Sequence, residues 1–581
     1  MNDLESEARR WGIDPGYHDV FGNWHAASPE TLQALIGALS HGRDRPYTFA
    51  AAPAVAPIRS WQGDGKRHWL VAVQLYGLKS ARNWGIGDFT DLKALIGIAA
   101  LHGAAGIGLN PLHALFPDRP EQASPYAPNS RLFLNPLYID VAAIPEFSGR
   151  PALAALRKGD LVDYPGVARV KMKALRETYG RFHKEAEPAR RADLDAFRAE
   201  RGEALLRFAC FEVLRRRHDQ PWTDWPAPWR TPSDADLARF RADNVAAVEF
   251  EEFLQWTADR QLAECHAAAK AAGMAVGLYI DVAVGIDRHG ADAWARQDAV
   301  LSSISIGAPP DEFNPAGQDW GLAPFNPDTV AEDNFAPMRQ LLASAMRHAG
   351  AIRLDHVLGL KRMFMIPRGM RSADGAYVRF PFEPLLQVVA EESVRYRCSV
   401  IGEDLGTVPE GFRDTMAKWG LWTYRVMLFE REGDDAHFKA PEAYPAEALA
   451  TFNTHDLPSF RGWLDSHDLR TKRALGLDPG ESDDARRWAR EKLREMLEAR
   501  GQGYAPDALA AVAACLGAAP SRLVAIALDD IVGAVEQLNI PGTMSEHPNW
   551  RRKLPVALEE LAVHEGFARV GEAFSKAGRK G

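Results

Sequence analysis

Residues 274–285 read MAVGLYIDVAVG, a near-continuous apolar run interrupted by one acid, Asp281. Seven further runs have the same character: HWLVAVQLYGL (68–78), AAGIGLNPLHAL (104–115), AIRLDHVLGL (351–360), CSVIGEDLG (398–406), TYRVMLFE (423–430), ALATFNTHD (448–456) and RLVAIALDD (522–530). Short apolar runs separated by helical stretches predict strands buried on both faces, as in a parallel sheet. Eight of them predict a closed (β/α)₈ TIM barrel, with an open doubly wound sheet as the alternative.

Working outward, the gap between the second and third runs is too long for one crossover helix. Its Ala-, Arg-, Glu- and Leu-rich composition predicts amphipathic helices inserted at about 141–270, and a second helical insertion is expected at 462–521. Residues 1–45 read as a short N-terminal helical element, in which Ser28-Pro29-Glu30 makes a good helix start. Residues 46–66 read as a linker or packing segment, 67–560 as the catalytic barrel and 561–581 as a C-terminal helix or tail. The Trp11, Tyr17 and Trp24 cluster is read as a small core rather than a sugar platform.

Composition narrows the function. The chain has 581 residues, 46% hydrophobic and 25% charged, with a formal net charge of −9. That balance argues against nucleic acid and anionic membranes as partners, both of which select clustered positive charge. The four cysteines, never in a CxxC pair, exclude a disulfide scaffold and a zinc ribbon. The charged start MNDLESEARRWGID has no apolar core, and no run of about 18 apolar residues occurs, so a cytoplasmic protein is expected.

Barrel enzymes carry their reacting groups at the C-terminal ends of strands. Those ends supply Asp281, Asp355, Glu403 with Asp404, Asp456, and Asp529 with Asp530. Arg353, two residues before Asp355, falls on the same strand face and is expected to keep that carboxylate ionised. His356 and His455 adjoin Asp355 and Asp456. Several carboxylates without a metal-ligand histidine pattern fit glycoside chemistry, which needs one carboxylate nucleophile and one carboxylic acid of raised pKa. A magnesium-dependent barrel and purely structural ion pairs remain open on this argument. HExxH, GxxxxGK[ST] and GxSxG are all absent, and GIG at 106–108 lacks the third spaced glycine of a dinucleotide site.

Eight stretches in order carry a resemblance: QLYGLKSARNWGIGDFTDL (74–92), SPYAPNSRLFLNPLYIDV (124–141), GLYIDVAVGIDRHGADAW (277–294), DWGLAPFNP (319–327), IRLDHVLGL (352–360), IGEDLG (401–406), FNTHD (452–456) and NIPGTMSEHPNWRRKL (539–554). The chain resembles the 4-α-glucanotransferases (amylomaltases and plant disproportionating enzymes, glycoside hydrolase family 77) of the α-amylase superfamily. The resemblance implies a nucleophile at Asp355 accompanied by Arg353, a general acid/base at Glu403, and a third carboxylate at Asp456 that steadies the transition state. It implies sugar contacts by His455, Tyr126, Trp320 on a lid loop (313–327) with Asp319 beside it, Asp281 and Asn539.

The implied reaction is retaining transfer of an α-1,4-glucan segment to the 4-hydroxyl of another glucan or of glucose. It needs no cofactor or metal and acts on maltooligosaccharides, with glycogen or starch as larger substrates. An α-amylase-type hydrolase and a catalytically silent glucan-binding barrel are the alternatives. Two departures from the family pattern stand out: the N-terminal extension is shorter than in the larger bacterial enzymes, and Ile280 stands where an arginine is expected.

Overall fold

The computed structural model describes residues 3–19, 22–46, 58–310, 316–433, 437–503 and 508–579. All eight apolar runs form parallel strands of one sheet: β1 (His68–Val73), β2 (Gly106–Leu109), β3 (Gly277–Val282), β4 (Ala351–Leu354), β5 (Ser399–Gly402), β6 (Thr423–Val426), β7 (Ala448–Thr451) and β8 (Leu523–Ala527). Each strand pairs with its sequence neighbour, and β8 pairs with β1. The circle closes between β5 and β6. There Trp422 donates its backbone N–H to Val400 at 2.9 Å, and Gly402 donates to the Trp422 carbonyl at 2.8 Å. The fold is a (β/α)₈ barrel.

Strand alternation sorts the side chains. Leu70, Tyr279, Ala351, Ile401, Tyr424, Leu449, Leu523 and Ala525 form one buried cluster inside the barrel. Trp69, Val71, Ile352, Val400, Val524 and Ile526 belong to the larger cluster beneath the surrounding helices. Counting on by twos from the inward Tyr279, Ala351 and Ile401 reaches Asp281, then Arg353 and Asp355, then Glu403. The period of the strand therefore aims four polar side chains into the C-terminal mouth. Gly108 leaves room for one inward ring: a Cβ there would stand 3.0 Å from Cδ1 of Tyr279.

Long helices Tyr164–Glu185, Pro188–Arg217 and Val245–Ala271 fill the interval between β2 and β3. The loops after β3 and β4 build something unforeseen in the sequence, a five-stranded antiparallel side sheet. Its strands are Ile286–Asp287, Ile304–Ala308, Gln318–Ala323, Arg362–Pro367 and Ala376–Arg379. Trp320 thus stands on a strand rather than in a loop. Residues 313–315 of the expected lid lie outside the described residues.

The N-terminal element packs on this side sheet. Helices Asp3–Arg10 and Pro29–Ser40 flank a hairpin of Gly16–His18 and Trp24–Ala26, a pair of strands the helical reading of 1–45 did not contain. Ser28 caps the second helix, accepting from Thr31 N at 3.1 Å. Trp11, Leu32, Leu35 and Leu39 bury against Ile304, Ile306, Met363 and Val378 of the sheet. Trp11 and Tyr17 are core, but Trp24 is 53% exposed and belongs to none. Of the segment 46–66, residues 47–57 lie outside the described residues, while Ser60 and Gln62 bind the Trp419–Gly420 turn before β6.

Candidate active site

Arg353 is the hub of the mouth. One of its nitrogens, Nη1, lies 2.8 and 2.9 Å from the two oxygens of Asp281 and 2.8 Å from Oδ1 of Asp355. Its other terminal nitrogen stands 4.0 Å from Glu403 Oε2. Glu403 is fixed by backbone: the N–H groups of His356 (2.9 Å) and Leu405 (2.8 Å) each donate to one carboxyl oxygen. His356 adopts a left-handed conformation, φ 49°, which turns the chain sharply after Asp355 and presents its N–H to Glu403.

The opposite wall comes from the loops after β2, β7 and β8. Tyr126 donates its hydroxyl to Asp281 Oδ2 at 2.5 Å and lies 3.2 Å from His455 Nδ1, with the two rings stacked at 4.7 Å. His455 Nε2 is 3.2 Å from Asp456 Oδ2, and Asn539 donates its amide to Asp456 Oδ1 at 2.6 Å. Trp550, a residue sequence reasoning missed, packs against both Tyr126 and His455. Trp320 meets the edge of the His356 ring at 5.2 Å, one residue from Asp355. Inside the barrel a cavity of about 100 Å³ is lined by Gln74, Asn110, Tyr126, Asp281, Arg353 and His455 among others.

Electrostatics separates the three carboxyls. Burial pushes Asp355 up to about 6; Arg353 opposes this, while Asp281 and Glu403 add to it. The Arg353 guanidinium is shared with Asp281 and does not outweigh desolvation at Asp355. Burial also raises Glu403, against Arg353 and the two backbone donors. Asp456 moves the other way. Burial would raise it, but His455 and Asn539 together hold it below the ordinary aspartate value. His455 is raised in turn, Asp456 outweighing desolvation. One carboxyl is therefore kept firmly anionic while two are poised to carry protons.

Eight of the expected residues, Asp281, Arg353, Asp355, Glu403, Tyr126, His455, Asp456 and Asn539, are joined by these contacts, and Trp320 adjoins them through His356. Asp319 is not among them. Its carboxylate binds the Ser305 hydroxyl and the Gly321 N–H (2.8 Å), bracing the irregular register of the Trp320 strand. Tyr126 has one face against His455 within the carboxylate cluster. Asp404 points away from the mouth, bound by Arg413, Arg425 (3.3 Å) and the Tyr424 N–H (2.8 Å). Among the described residues no group of three or more His, Cys, Asp or Glu side chains is arranged to hold a metal ion. None of the described helices is long and apolar enough to cross a membrane.

The family described as 4-alpha-glucanotransferase matches residues 73–559, which contain every one of these side chains. The chain belongs to the 4-alpha-glucanotransferase family. A 4-alpha-glucanotransferase of Mycobacterium bovis is 38% identical over 96% of this chain and 82% of its own length. That of Haemophilus influenzae is 36% identical over 87% and 78%. The crystal structure of the amylomaltase from Corynebacterium glutamicum superposes with a TM-score of 0.86 at 27% identity, covering 98% of this chain and 99% of that one. An amylomaltase from Streptococcus agalactiae, solved in complex with acarbose, shares the fold with a TM-score of 0.76 at 19% identity, over 89% and 100%. These 4-alpha-glucanotransferase relatives agree with the family expected from the eight motifs.

Proposed function

We propose that this chain disproportionates maltooligosaccharides by a retaining double displacement in the mouth of the barrel. Asp355 attacks the anomeric carbon of the donor while Glu403 gives its proton to the departing O4 of the reducing-end fragment. The C1–O4 bond breaks, a glucosyl ester to Asp355 forms, and Glu403 is left as a carboxylate. That carboxylate then takes the proton from the 4-hydroxyl of an acceptor glucan or glucose, whose oxygen attacks C1 and releases Asp355. Asp456, held anionic by His455 and Asn539, offsets the positive charge that develops on the sugar ring in both steps.

The observation that carries this reading is the single guanidinium of Arg353 reaching Asp355 on one side and Glu403 on the other. Both carboxyls are thereby gathered at one end of the barrel, and a retaining pair is expected to stand about 5–5.5 Å apart. Tyr126 and Trp320 supply apolar contacts to the sugar faces. Glycogen or starch would enter as larger donors or acceptors, and the work is that of a cytoplasmic enzyme of α-glucan metabolism without cofactor.

Incubation with maltotriose alone tests the reading. Transfer yields glucose and a ladder of longer oligomers. Glucose and maltose without longer products would make the chain a hydrolase, and unchanged maltotriose would make it a binding protein.

A further inference from the structure

The loop after β8 folds back along the loop after β7 and is stitched to it at three points. Asp530 Oδ1 accepts from the Phe460 N–H at 2.6 Å and lies 3.5 Å from the Asn453 amide. The Ser459 hydroxyl donates to the Val535 carbonyl at 3.0 Å. Gln537 makes the third stitch, its side-chain nitrogen donating to the backbone carbonyls of Asp456 (2.9 Å) and Asn539 (2.7 Å). Both acceptors are carbonyl oxygens, so only the NH₂ end of the amide fits between them. Gln537 is 4% exposed, and its backbone carbonyl is bound by His547 Nε2 at 2.9 Å, so its main chain is held as well.

This arrangement has a consequence for Asp456. The carboxylate is reached by an amide from Asn539, 83 residues further along the chain, at 2.6 Å. A contact that short needs the two backbones in fixed register, and Gln537 spans both of them.

We propose that Gln537 is a positioning residue for the reaction, registering Asn539 against Asp456, with Asp530 anchoring the far end of the Asp456 loop. The inference rests on the reading that Asp456 steadies the transition state. Gln537 touches no sugar on this account. Its loss lets the Asn539 amide drift from Asp456, which raises the barrier without weakening donor binding.

The test uses the full chain and maltotriose kinetics. Gln537→Met keeps the side-chain length and removes the donor; Gln537→Glu puts an oxygen against two carbonyls and a second charge beside Asp456. Gln537→Met should lower kcat roughly tenfold with KM within about twofold, and Gln537→Glu should lower it further. The decisive measurement is the cycle with Asn539→Ala: once Asn539 is gone, adding Gln537→Met should cost no more than about a further twofold. Two results overturn the proposal: wild-type kcat in both Gln537 variants, or independent multiplication of the two losses in the double variant. Asp456→Asn separates the two levels. Substantial activity in Asp456→Asn overturns the role of Asp456 itself. An inactive Asp456→Asn with an unimpaired Gln537→Met overturns only the positioning role.

Discussion

Asp355 and Asp281 share one nitrogen of Arg353, at 2.8 Å from the first and 2.8 and 2.9 Å from the oxygens of the second. Burial pushes Asp355 up to about 6, and a guanidinium divided between two carboxylates does not bring it back down. Burial sets the rise, and the neighbour on the adjacent strand adds to it.

The pH profile should show this division. Asp355 must be ionised to attack, so kcat/KM falls as pH drops through about 6. Glu403 must be protonated to donate, so the rate falls again on the alkaline side of its raised pKa. Asp281→Asn removes a charge that raises Asp355 and frees Arg353 for it. The acid limb should then move to lower pH, whatever the change in kcat. An unmoved or upward-shifted limb would contradict the sharing.

Trp320 stands edge-on to His356, one residue from Asp355, on a strand of the side sheet. Water at about 55 M competes with the acceptor for the glucosyl-enzyme, so transfer requires a bound acceptor and a covered intermediate. Trp320→Ala should lower transfer more than hydrolysis, raising the fraction of cleavage events that end in water. Product analysis showing both fluxes reduced by the same factor would make Trp320 a binding surface only.

Tyr126→Phe keeps the ring against His455 and Trp550 but removes the hydroxyl from Asp281. We expect kcat/KM to fall roughly tenfold, the cost of a charge-assisted hydrogen bond, with an unchanged Tm within about 2 °C. Full activity in this variant would show that Arg353 alone fixes Asp281.

Asp404 is adjacent to Glu403 yet does different work, with Arg413, Arg425 and the Tyr424 N–H as partners. Asp404→Ala leaves the buried Arg425 without this carboxylate, and unfolding should become easier by about 3 kcal/mol. Thermal denaturation measures this. A Tm equal to that of the parent would remove the structural role.

The barrel was legible because each strand is an apolar run buried on both faces and eight such runs recur along the chain. The carboxylate cluster was legible because Asp281, Asp355 and Glu403 end apolar runs, and the roles proposed for them come from the family resemblance. The side sheet was not. Ile304–Ala308 and Gln318–Ala323 are short and interrupted by glycine and polar residues, and Arg362–Pro367 follows the β4 run so closely that it reads as its tail. Gln537 and Trp550 carry no charge and sit in an irregular loop, so only contact in space marks them. Sequence shows Arg353 beside Asp355 but not Asp281, which shares that guanidinium across the strand pair.

The central claim is a covalent glucosyl-enzyme on Asp355, and trapping it is the most direct test. Glu403→Gln offered α-maltotriosyl fluoride retains a nucleophile and a leaving group that departs with little acid assistance, but lacks the base that activates the acceptor. The account predicts that the protein gains the mass of one maltotriosyl unit, located by peptide mapping on Asp355. Release of fluoride with the label on another carboxylate, or with no covalent adduct and a product of inverted configuration, would contradict it.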